Sequence, residues 1–189
     1  FEILSGMEKE ALSEAFYAKV AYSIGVIYAR LFMSRNANSF FSYAYELYPD
    51  PAYARACVYM ALVNHDEEEL LNTIIKYGMT PVAFCEGHYD SRLEVLCDVP
   101  KGKVVYMFEN VDLKRVKETV GQVACVAGTV PNTLLAYGKP EQVEAETKRQ
   151  IDILAPGGGF LMNCSAMLDN ADHKNMHVWR DVTREYGRY

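Results

Sequence analysis

Met79-Thr-Pro-Val-Ala-Phe-Cys-Glu-Gly-His-Tyr-Asp90, Val104-Val-Tyr-Met-Phe-Glu-Asn110, Ala124-Cys-Val-Ala-Gly-Thr-Val-Pro-Asn132 and Phe160-Leu-Met-Asn-Cys-Ser165 are built alike. Each opens on a short apolar run (81–84, 104–107, 124–127, 160–162) and passes into a polar loop. The runs are too short for helices and continuous rather than alternating, as strands buried on both faces are. Polar helical segments separate them, so the pattern predicts four parallel strands in βα rhythm. The loops that follow hold Glu86, His88, Tyr89 and Asp90; Glu109, Asn110 and Asp112; Gly128, Thr129, Pro131 and Asn132; and Asn163, Cys164 and Ser165. Ligands of βα folds bind at the carboxyl ends of the strands, so these four clusters are expected to face one site.

The regions around this stretch are helical. From residue 1 to about Arg35, Leu12, Phe16, Val20, Ile24, Ile27 and Leu31 recur at helical spacing, with Ser5 and Glu8 placed as a capping box. Ser34 to Ser39 reads as a loop, and the aromatic run Phe40 to Tyr48 as a helix packed on a larger body. Tyr48-Pro-Asp-Pro51 stops that helix, and Pro51 suits the first turn of the next, which runs through Ala54 to Val63. Asp66 to Lys76 is expected to bury Leu70, Leu71, Ile74 and Ile75 and to end at a left-handed Gly78. Residues 1–78 thus form a helical segment expected to pack on a βα region spanning 79–189. Within that region Ser91–Leu96, Asp112–Val120, Lys139–Leu154 and Asn175–Tyr186 read as helices, the last carrying Trp179.

The 189 residues, 50% hydrophobic and 23% charged, suffice for a buried core. A net charge of -6 without a basic stripe argues against a nucleic-acid or anionic-membrane partner, and no apolar run approaches the roughly 20 residues that span a bilayer. Five cysteines without framework spacing, and no leader-like start, predict reduced thiols and a cytoplasmic setting.

Gly128-Thr-Val-Pro-Asn-Thr-Leu-Leu-Ala-Tyr-Gly138, the helix start Lys139-Pro-Glu-Gln-Val-Glu144, Gly157-Gly-Gly-Phe160 with Asn163, and the closing 182–187 segment occur together and in order. In combination they resemble the C-terminal half of the uroporphyrinogen decarboxylase superfamily, which also includes corrinoid- and coenzyme M-linked methyltransferases. The resemblance covers roughly Leu71 to Gly187 and implies a TIM (β/α)8 barrel. Such a barrel takes eight strands and about 250 residues, so four strands represent about half of it. A fragment, two copies completing one another, or segments absent from this sequence would each account for the difference. Four strands also leave two open edges, which predicts a homo-oligomer.

The resemblance implies an enzyme acting on a small molecule, either a decarboxylase-like lyase of porphyrin type or a corrinoid-dependent methyltransferase; a non-catalytic half-barrel that works by association is the alternative. The decarboxylases end their last strand with Asn, two small or apolar residues and His; here Asn163-Cys164-Ser165-Ala166 puts Ala166 at the His position. The zinc-dependent methyltransferases carry His-x-Cys and a further Cys, where this chain has Phe84-Cys85-Glu86 and Gly158. Glu86, His88 and Cys164 offer a different donor set, competent for a catalytic zinc with one open position; the structural alternative is that Glu86 and His88 hydrogen-bond their loop and Cys164 fills core space. A corrinoid would arrive on a partner protein. Glu86, His88 and Glu109 are the candidate catalytic groups, and Tyr89, Arg92, Asn132 and Asn163 the candidate substrate contacts. Arg92 suits a carboxylate or phosphate, or a structural pair with Asp90 or Glu94, and Asp112 suits the N-cap of its helix. Cys57, Cys97 and Cys125 read as core or structural.

Overall fold

The computed structural model describes residues 13–64 and 67–188. Ser5, Glu8, Leu12 and Asp66, used above to place helix starts, lie outside the described residues. The chain divides into two compact units, residues 1–79 and 80–189. No helix among the described residues is long and apolar enough to cross a membrane.

The first unit is helical: α1 (Glu14–Arg30), α2 (Ser34–Leu47), α3 (Pro51–Val63) and α4 (Glu67–Lys76). Ser13 caps α1 by accepting the Phe16 N–H, and Asp50 caps α3 by accepting the Ala52 N–H at 2.6 Å, with Pro51 in the first turn. Ser34–Ser39, expected as a loop, is instead the first turn and a half of α2. The turn falls earlier, at Leu31 to Met33, where Phe32 takes φ 56°. The polar residues there disfavour helix only weakly. Burial of Ala37, Phe40, Phe41 and Ala44 decides the matter, while the Ser39 hydroxyl returns a hydrogen bond to the Arg35 carbonyl. Their contacts form two clusters, Ala37–Phe41–Ala54–Cys57–Met60–Tyr77 and Tyr17–Ala21–Phe40–Ala44. Tyr77 donates its hydroxyl to Cys57 Sγ at 3.0 Å, and burial drives the titration of that phenol well above its usual range. Leu70, Leu71, Ile74 and Ile75 of α4 are half-buried, and Gly78 takes φ 74° just beyond its end.

The second unit holds one parallel sheet in the order β1 (Val82–His88), β2 (Val105–Asn110), β3 (Cys125–Ala127), β4 (Phe160–Leu161). This is an α/β fold, and its sheet is open rather than closed. The β1–β2 connection contains two single 3₁₀ turns, Asp90–Arg92 and Val95–Cys97, in place of the expected Ser91–Leu96 helix. Helix α5 (Leu113–Glu118) leads from β2 to β3, and α6 (Asn132–Tyr137) with α7 (Pro140–Leu154) leads from β3 to β4. Asp112 caps α5, accepting the Arg115 N–H at 2.9 Å. Val143, Thr147, Ile151 and Leu154 face inward from α7 as their spacing predicts. The last helix, α8 (His173–Tyr186), begins two residues before its expected start and packs along α7.

In a parallel ladder, paired residues project to the same face. Tyr106, Phe108 and Val126 share one face and are almost fully buried. Val82, Phe84, Val105, Met107, Cys125, Ala127 and Leu161 share the other. Burial on both faces was expected for every strand, and here the structure differs. Ala127 is buried, but Val82 is 66% exposed, Phe84 42% and Leu161 53%. The edges of that face stay open because this sheet does not curl back on itself.

Candidate functional site

The carboxyl ends of the strands form a polar rim, with Glu86, His88, Glu109 and Asn110 on the strands themselves rather than in loops. The expected boundaries came too early because these residues are polar; backbone pairing carries the strands through them. Cys85 pairs with Phe108 and His88 with Asn110, so Glu86 and Gly87 together oppose Glu109 alone. This is a β-bulge, made possible by Gly87 at φ 82°. Glu109 Oε2 accepts the Gly87 N–H at 2.7 Å, fixing the bulge and orienting the carboxylate. It also brings His88 Nε2 to 3.5 Å from Asn110 Nδ2.

Next to the bulge, Tyr89 packs edge-on against Phe108 and carries the Arg92 guanidinium over its ring at 4.3 Å. Arg92 Nη2 also donates to the His88 carbonyl at 3.3 Å. The expected partners of Arg92 are engaged elsewhere: Asp90 accepts the Asp112 N–H at 2.8 Å, and Glu94 pairs with Arg115 at 2.7 Å. Glu94 is held below the usual carboxylate range by the hydrogen bond from Arg115. Cys85 lies beneath the rim, its thiol pushed up by burial to about 11.

A cleft of about 440 Å³ opens at the ends of β2 and β3, where Glu109, Asn110, Thr129, Asn132 and Ser165 meet the Glu146–Arg149 pair of α7. Asn132 Nδ2 donates to the Met167 carbonyl at 2.7 Å, and its backbone N–H reaches Ser165 Oγ at 3.3 Å. Arg149 holds Glu146 in a fork, Nε to Oε2 and Nη2 to Oε1, both at 2.8 Å. Burial by itself would raise the Glu146 carboxyl, but the hydrogen bonds from Arg149 and Gln150 outweigh it and hold the group below the usual range. Gln150, fully buried, also accepts the Thr129 N–H at 3.0 Å. Glu146, Arg149 and Gln150 were missed in the sequence. The available signal was a glutamine on the buried stripe of α7, beside Ile151, since a buried amide requires partners.

Asn163 stands beside β4 with its side chain on the open face, Nδ2 lying 2.6 Å from Met107 Sδ, and its Oδ1 accepts the Cys164 N–H at 2.9 Å. Cys164 turns inward and packs with Val130, Leu135 and Val143, its thiol donating to the Ala166 carbonyl at 3.1 Å. Glu86 and His88 are exposed at the β1 edge, whereas Cys164 follows β4 at the opposite edge. Three strand spacings of about 4.8 Å separate those edges. The structure therefore does not bring the expected metal ligands together, and no cluster of three or more metal-ligating His, Cys, Asp or Glu side chains occurs among the described residues. The strands follow the expected βα rhythm, but this open sheet does not close one edge against the other.

The family model for uroporphyrinogen decarboxylase (URO-D) matches residues 58–186. No curated protein matches the chain. Among solved structures, a methyltransferase from Methanosarcina mazei is similar with a TM-score of 0.54 at 14% identity, over 93% of this chain and 57% of that one. At that identity the likeness is one of fold, and this chain spans little more than half the length of the other. The family match covers the βα unit and the sequence just before it, so the chain belongs to the uroporphyrinogen decarboxylase family.

Proposed function

We propose that the rim and cleft form part of the active site of a family enzyme that acts on a small molecule by methyl transfer. Ala166 carries this reading. It lines the cleft where the resembling decarboxylases place a histidine, so no imidazole is available there to handle a proton. The methyltransferase likeness of the fold agrees. The chain itself supplies a carboxylate, Glu109, aimed by the Gly87 N–H and suited to take a proton from an acceptor or to orient it. Asn132 and Asn163 supply amide groups, and Arg92, backed by Tyr89, supplies a cation.

In this reading the sheet is half of a TIM barrel. Completing the barrel would cover Val82, Phe84 and Leu161, since barrel interiors are packed with such side chains. A corrinoid carried by a partner protein would deliver or accept the methyl group. Glu86 and His88 are two of the expected metal ligands at one strand end, short of the three protein ligands that a catalytic zinc takes. The exposed apolar edges favour a second reading, a subunit that works only by association with another chain or copy.

The test is transfer from methylcobalamin to a panel of thiol and amine acceptors, followed by the cobalamin absorbance. Turnover that falls at least tenfold in Glu109→Gln supports methyl transfer. Carbon dioxide release from a porphyrinogen without methyl transfer would replace it with decarboxylation. Absence of both activities, together with a defined oligomer in analytical ultracentrifugation, would favour the association reading.

A further inference from the structure

Helix α8 carries a pair of side chains that the proposed site does not use. His173 and His177, two of the four histidines in the chain, stand one turn apart and are both exposed. Their ring centroids are 4.5 Å apart at an interplanar angle of 71°. Side chains at i and i+4 lie over the same helix face, so their ring nitrogens can turn toward one point without backbone movement.

The backbone beneath the pair is firmly held. Asp172 caps the helix, accepting the N–H groups of Lys174 and Asn175 at 2.8 and 3.2 Å. Asn175, between the two histidines, is buried and donates to the carbonyls of Leu135 at 3.2 Å and Gly138 at 2.8 Å. Asp181 lies one further turn along from His177 and interacts with it electrostatically. Its carboxylate is forked to Arg180 at 2.7 and 3.0 Å in an exposed pair, which costs little to open. Lys174 and Arg184 are the other charged groups on this helix that oppose a cation.

We propose that His173 and His177 form a chelating surface site for a divalent transition-metal ion of the nickel, copper and zinc group. Two imidazoles select that group over magnesium and calcium, which take oxygen donors. Water completes the coordination, while Asp181, held by Arg180, adds only a nearby negative charge. A bound ion bridges the first turn of α8 and staples it. The site lies on a different element from Glu86 and His88 and stands independently of the activity proposed above.

Nickel(II) titration of the full chain by calorimetry at pH 7.5 tests this, with circular dichroism confirming that each variant is folded. One nickel equivalent is expected in wild type and in His88→Ala, with affinity at least tenfold lower in His173→Ala and again in His177→Ala. Nickel should also raise the melting temperature of wild type by clearly more than that of either single variant, because an ion that binds the folded state stabilises it in proportion to its affinity. Paramagnetic broadening should appear first on the His173 and His177 ring protons. Unchanged affinity in both single variants, or loss of the nickel equivalent only in His88→Ala, would overturn the proposal.

Discussion

The side-chain oxygen of Gln150 accepts the backbone N–H of Thr129 at 3.0 Å while its amide donates to Glu146 at 2.8 Å, so one buried residue of α7 ties the end of β3 to the acid of the cleft. Glu146 passes the link on to Arg149 through its fork.

Gln150→Leu keeps most of the volume but leaves the buried Thr129 N–H without its acceptor. We expect a loss of about 1–3 kcal/mol in urea unfolding, the cost of an unsatisfied buried donor. The Thr129 amide should also lose its protection from hydrogen exchange. Retained protection would show that Gln150 is not its partner.

Two left-handed glycines should respond differently to alanine. At Gly128, φ is 91° and an added Cβ would stand 2.9 Å from the Phe108 carbonyl oxygen, which is backbone and cannot swing away. At Gly78, φ is 74° with nothing within 4 Å. Gly78→Ala should cost about 1–2 kcal/mol for the conformation alone, and Gly128→Ala clearly more, read as the difference between their denaturation midpoints.

Alkaline pH should weaken the second unit. Burial raises the Cys85 thiol from 9.0 to about 11, with Arg92 pulling the other way, and raises the Tyr106 phenol from 10.0 to about 12. In both, the folded state retains a proton that the unfolded chain releases. Between pH 9 and 11 the unfolded state therefore binds fewer protons, and stability falls as pH rises. Melting temperatures across this range should decline less steeply in Cys85→Ala than in wild type. Parallel slopes would mean that the Cys85 thiol titrates alike in both states.

Glu109→Ala removes the acceptor of the Gly87 N–H. The Gly87 amide resonance should shift upfield, and the His88–Asn110 proximity should loosen with the bulge. Stability should fall by about 1.5–3 kcal/mol, the scale of a hydrogen bond to a charged acceptor. An unchanged Gly87 amide would show that the bulge holds without the carboxylate.

Much of the architecture was legible in the residues. The four apolar runs became four parallel strands in order, Asp112 became the cap of α5, and the motif string around Gly128 pointed to the family whose model matches residues 58–186. Polar content misled where packing or pairing outweighed it. Ser34–Ser39 is helical because Ala37 and the residues after it are buried, and Glu86 to His88 is strand because β2 pairs with it.

Residues within a turn or two of one another set the hydrophobic period, the caps, the breakers and the motif order, all of them local features. Tertiary structure alone decided which distant side chains meet. The bulge that pairs His88 with Asn110, the Thr129–Gln150–Glu146–Arg149 chain and the separation of Cys164 from Glu86 and His88 all depend on strand register and sheet order. Those follow from the packing of whole faces, and a one-residue shift in pairing, which leaves every local preference intact, would send each rim side chain to the opposite face.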